Sequence, residues 1–79
     1  MTVDQQATIE SKLLDMWRET LGEDGLSRDD DPLQLGATSM QIMAIVGRLA
    51  EEMSIEVPIE AMFDAITIGE QAEALSLGL

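Results

Sequence analysis

Between Ser39 and Met53 apolar residues return at steps of three and four, and they do so on two sides at once. Ile42, Ile45, Val46, Leu49 and Met53 form one stripe at helical spacing. Met40, Met43, Ala44 and Gly47 form a second at the same spacing. Only Gln41, Arg48, Glu51 and Glu52 are strongly polar after Ser39. A helix of this kind is either covered by neighbours on most sides, or it keeps one apolar side for something outside the fold. Both options require packed helices around it.

The flanking segments supply them. From about Asp4 to Leu21, Ile9, Leu13, Met16 or Trp17, and Thr20 or Leu21 recur at helical steps, and Gly22 ends the run. Glu10, Lys12, Asp15, Arg18 and Glu19 take the outer side. Pro58 starts a short helix over "PIEAMFD", which is expected to point Phe63 into the core. Thr67 and Glu70 match a capping box, opening a last helix to about Leu77 with Ile68, Ala72 and Leu75 inward.

Between the first two helices lies "GEDGLSRDDDPLQLGAT", with three glycines, one proline and five acids. So long a loop in a small domain needs anchors. Leu26, Leu33 and Leu35 are the expected ones, with a helical turn near Pro32. A calcium loop fails here, because Leu33 and Gln34 stand where an oxygen ligand and a glycine are needed. The expected fold is all-α, a single domain over residues 1–79: a small four-helix bundle of three main helices and one short one, with a long ordered loop between the first two.

Composition narrows the chemistry. The 79 residues include no cysteine and no histidine. That removes disulfides, thiolate metal sites, cysteine nucleophiles and the commonest general base. Ser39 therefore lacks its usual activating partner, and Lys12, the only lysine, belongs to the outer side of the first helix. Independent catalysis and metal binding are not expected. A net charge of −12 repels nucleic acid and anionic lipid and favours basic protein surfaces. The N-terminal sequence has no signal-peptide pattern and no segment is apolar enough to span a membrane, so the expected setting is cytoplasmic.

A serine at a helix start is ordinarily an N-cap. Thr38 can do that work equally well. If it does, Ser39 becomes the first helical residue with its hydroxyl free, and a phosphate ester on it would lie at the positive end of the helix. Such a serine suits being modified better than reacting by itself.

The decapeptide from Asp31 to Met40, "DPLQLGATSM", resembles the loop and helix start of phosphopantetheine carrier domains, above all the peptidyl carrier (thiolation) type. "MWRETLG" at 16–22, "IEVPIEAMFD" at 55–64 and "ITIGEQAEAL" at 66–75 resemble three further segments of those carriers, in the same order. Departures are Thr38, where aspartate or histidine is common, Ala37 in place of a second glycine, and Ile66 where proline often precedes the threonine. The acids that fatty-acid carriers place just after the serine are delayed here to Glu51 and Glu52.

The resemblance implies that Ser39 receives a 4′-phosphopantetheine arm from coenzyme A and that the arm's thiol holds an aminoacyl or acyl group as a thioester. It implies a phosphopantetheinyl transferase, an adenylating or acyl-loading enzyme, and condensation, ketosynthase or tailoring enzymes as partners, in nonribosomal peptide or hybrid polyketide biosynthesis. Thr38, Met40, Met43, Ala44 and Gly47 would be the surface those partners grip, with the carrier a monomer. The alternatives are a polyketide-type acyl carrier, an acidic helical adaptor without cofactor and, least favoured by the residues, a small enzyme.

Overall fold

The computed structural model describes residues 2–77, with side chains from Gln5 onward. The ends of the expected domain, Met1, Gly78 and Leu79, lie outside the described residues. Four helices follow in order: α1 Thr2–Leu21, α2 Ser39–Met53, α3 Ile59–Asp64 and α4 Ile68–Ser76. The described residues contain no strand, and the all-α bundle with a long loop after α1 is what the apolar spacing calls for.

Each helix ends for a local reason. Gly22 takes the left-handed conformation (φ 67°) that releases the chain from α1, and the Glu23 N–H reaches back to the Arg18 carbonyl at 3.1 Å. Ser54 does the same for α2 at φ 57°, without the glycine that usually fills such a position. Thr67 and Glu70 form the expected reciprocal capping box at the start of α4.

α1 packs against both α2 and α4, and α3 packs against α4. Ile9, Leu13, Met16 and Trp17 from α1 meet Ile45, Val46 and Leu49 from α2 and Ile68, Ala72 and Leu75 from α4. Full burial of side chains of this size contributes roughly 1.5–3 kcal/mol each. Inside this apolar centre the Trp17 indole N–H donates to Gln71 Oε1 at 3.0 Å. A glutamine nearly sealed in a small core is a polar insertion that apolar periodicity does not reveal.

Two expectations need correction. Phe63 is not in the core; it is 79% exposed, and Met62 is buried at 5% in its place. On so short a helix one side alone can face inward, and the unbranched methionine fits the gap beside α4. Leu33 and Leu35 are about half exposed and do not anchor the loop; Leu26 and the fully buried Pro32 do. The expected turn is present: the Leu35 and Ala37 N–H groups donate to the Pro32 carbonyl at 3.1 and 3.0 Å.

The loop is fixed to the bundle by its own backbone. The Ile68 N–H donates to the Asp30 carbonyl at 3.1 Å and the Gly69 N–H to the Arg28 carbonyl at 2.8 Å. These are first-turn donors of α4, which no carbonyl within the helix can satisfy. The Arg18 guanidinium holds the Leu26 carbonyl at 2.8 Å. A loop this acidic is therefore ordered through hydrogen bonds more than through apolar burial.

Candidate functional site

Ser39 is where loop and bundle meet. Thr38 sits before it in extended backbone (φ −100°, ψ 161°), and its hydroxyl accepts from the Gln41 N–H at 3.1 Å. Gln41 returns the favour, its side-chain oxygen accepting from the Thr38 N–H at 2.9 Å. This capping box occupies Thr38 and releases Ser39. Ser39 is the first residue of α2 and is exposed. Among the described residues its hydroxyl has no hydrogen-bond partner, and the Ser39 and Met40 N–H groups have no acceptor. An ester of phosphate on Ser39 would stand beside two unpaired donors at the positive end of a helix, a favourable place for an anion.

A small cleft of about 130 Å³ opens beside Ser39. Leu33 lines it from the loop, Ile42 and Met43 from α2, Met62 and Phe63 from α3, and Ala65 from the turn after α3. Of the expected grip surface, Met40 is 83% exposed, Met43 and Ala44 are exposed, and Gly47 is half-buried. The outer side of α2 is thus open to solvent, and its second stripe is not covered by a neighbouring helix. Thr38 is exposed but committed to its capping box.

Phe63, Ile59 and Ile66 are exposed large apolar residues that sequence reasoning did not place on the surface. Phe63 shares the cleft with Ser39. The available signal was that α3 is too short to bury both Met62 and Phe63.

The cleft beside Ser39 is lined by no charged side chain, while the chain as a whole carries a net charge of −12. Lys12 pairs with Glu52 at 2.9 Å, and that hydrogen bond, with the ammonium charge, holds the Glu52 carboxyl below the usual glutamate range. The Glu70 carboxyl is lowered chiefly by the backbone N–H of Thr67. Both carboxylates therefore do structural work. Among the described residues no group of carboxylates could hold a metal ion, and no helix is long and apolar enough to cross a membrane. An open, shallow hollow of about 350 Å³ between α3 and α4 is lined by Asp64, Glu70, Glu73, three alanines and Leu77.

The sequence pattern of the family described as "Phosphopantetheine attachment site" matches residues 11–75. Similar segments occur in tyrocidine synthase 3 of Brevibacillus parabrevis, 34% identical over 71 residues, and in bacitracin synthase 3 of Bacillus licheniformis, 34% identical over 59 residues. Gramicidin S synthase 2 of Brevibacillus brevis is 28% identical over 76 residues. These alignments cover 90%, 75% and 96% of this chain, which spans only 1–2% of the length of those relatives. No solved structure matches. An exposed, unengaged serine at a capped helix start, an apolar cleft beside it and a family match over most of the length agree: the chain belongs to the phosphopantetheine attachment-site family, non-catalytic carriers of covalent 4′-phosphopantetheine, and is of the peptidyl carrier type.

Proposed function

We propose that Ser39 is the residue esterified with 4′-phosphopantetheine, and that the chain shuttles an aminoacyl or acyl group between enzymes of nonribosomal peptide or hybrid polyketide biosynthesis. The observation that carries this reading is the division of labour between adjacent residues: Thr38 caps α2, so the Ser39 hydroxyl is exposed and unengaged. The arm supplies the thiol that a chain without cysteine lacks, and with it a thioester linkage for the cargo.

In the modification step the Ser39 Oγ–phosphorus bond forms as the bond between the two phosphates of coenzyme A breaks. The adenosine bisphosphate half leaves, and the serine proton passes to a base on the transferase, since among the described residues no side chain hydrogen-bonds the Ser39 hydroxyl. The unpaired Ser39 and Met40 N–H groups face the new phosphodiester charge and contribute about 0.3–1 kcal/mol at such an exposed site. The chain itself catalyses nothing in this scheme. Its partners are a phosphopantetheinyl transferase, an adenylating or acyl-loading enzyme, and condensation, ketosynthase or tailoring enzymes, which bind over Met40, Met43, Ala44 and Gly47.

The test is intact-mass analysis after incubation with coenzyme A and a broad-specificity transferase. The wild type should gain one phosphopantetheine unit and Ser39→Ala none. No gain in the wild type, or an equal gain in the variant, overturns the assignment.

A further inference from the structure

We propose that Arg28 is a positioning residue for phosphopantetheine transfer: its side chain, laid across Gly69, clamps the 22–38 loop to the start of α4 and thereby holds the Ser39 cleft in shape. The inference rests on the reading of Ser39 as the attachment site.

The clamp has a backbone part and a side-chain part. The Arg28 carbonyl takes the Gly69 N–H, and the Asp30 carbonyl takes the Ile68 N–H. From the same residue the guanidinium turns over α4 to Glu73 at 3.6 Å and to Glu10 of α1 at 2.7 Å, an ion-pair contact with no hydrogen bond to that Glu10 oxygen. Arg28 thus ties the loop to two helices at the same point.

Gly69 explains how the side chain gets there. Glycine weakens a helix relative to alanine, and Gly69 lies in the first turn of α4 with no unusual backbone to excuse it. A Cβ at this position would stand 2.7 Å from both Nε and Nη2 of Arg28. The guanidinium occupies the space a methyl group would take, and as the far end of a flexible side chain it would have to shift outward if one were added.

Little slack separates the clamp from Ser39. Pro32 is fully buried and its carbonyl holds the Leu35 and Ala37 N–H groups. The Asp31 side chain accepts from the Leu33 N–H at 2.9 Å. Leu33 then enters the cleft wall, Ala37 is buried, and Thr38 caps α2. The loop is therefore a strut, pinned to α4 at one end and to α2 at the other.

Exposed ion pairs add little to global stability, and the Arg28 side chain is half exposed. Releasing it frees the loop locally and leaves the core folded. A carrier whose loop is correctly placed only part of the time binds its transferase more weakly in proportion, while the bound complex reacts as before.

Arg28→Gln and Gly69→Ala attack the clamp from opposite sides, the second leaving the arginine in place. With coenzyme A and a broad-specificity transferase, each should raise the KM for the carrier about threefold to tenfold at unchanged kcat. Hydrogen exchange of unmodified protein should show faster exchange at the Ile68 and Gly69 amides, with Leu13 and Trp17 still protected. The double variant should be no worse than either single one.

Unchanged KM in both variants overturns the proposal. So does a raised KM with Ile68 and Gly69 exchange unaltered, which would make Arg28 a direct transferase contact. If the wild type itself gains no mass, the Ser39 assignment falls and this proposal with it, and that result is distinct from a normally modified wild type with indifferent variants.

Discussion

The Trp17 indole N–H donates to Gln71 Oε1 at 3.0 Å in the centre of the bundle, joining α1 to α4 across 54 residues of chain. Both side chains are buried, and the Gln71 amide nitrogen has no partner among the described residues. The bond gives the α1–α4 contact a fixed register that apolar packing alone would leave looser. Gln71→Ala strands the indole donor and should cost about 1–3 kcal/mol, read from urea unfolding followed by Trp17 fluorescence.

Met62 and Phe63 should respond oppositely to truncation. Met62→Ala removes a buried side chain and should cost about 2–5 kcal/mol. Phe63→Ala removes an exposed one and should change stability by no more than about 0.5 kcal/mol. Chemical denaturation of the two variants side by side checks the pair; a Phe63→Ala loss as large as that of Met62→Ala would contradict the placement.

Thr38 and Ser39 should also separate. Thr38→Ala removes the cap of α2 and should cost about 0.5–2 kcal/mol. Ser39→Ala touches no hydrogen bond and should stay within about 0.5 kcal/mol of wild type, so its expected loss of modification cannot be blamed on unfolding. Thermal melts of both variants give the comparison.

The lowered carboxyls of Glu70 and Glu52 set the sign of the pH response. A group with a depressed folded pKa adds stability that is present above its unfolded value and disappears as pH falls through the folded one. The unfolding midpoint should therefore decline on acidification through and below the ordinary glutamate range. Glu70→Gln keeps an oxygen for the Thr67 N–H but has no proton to gain, so its melting temperature should fall less steeply between about pH 6 and pH 3. Parallel slopes for variant and wild type would count against this role.

Met40→Glu tests the proposed grip surface. At 83% exposure the change should leave stability within about 0.5 kcal/mol. It should lower kcat/KM for transferase modification by about tenfold if the side chain is seated in an apolar pocket of the partner, where truncation commonly costs more than 1 kcal/mol. Equal kinetics at matched folding would remove Met40 from that surface.

Some of this was legible in the residues because it depends on near neighbours. Helical spacing marked Ile9, Leu13, Val46, Leu49, Ile68 and Leu75 as core, and all six are fully buried. The Thr67–Glu70 box and the Gly22 stop are three- and four-residue events, and they occur as written. The run from Asp31 to Met40, taken together with the segments at 16–22, 55–64 and 66–75, disclosed the family. Thr38 and Ser39 were equally good caps by composition, and only the folded backbone assigned the role to Thr38.

What tertiary structure decided concerns residues far apart in the chain. Spacing could not choose between Met62 and Phe63, because on a six-residue helix the choice depends on the gap left beside α4. It could not show that Gln71 meets Trp17, or that the loop carbonyls of Arg28 and Asp30 complete the first turn of α4. A polar group's partner, unlike an apolar group's preference for burial, is specified by position in space, and the sequence records only position along the chain.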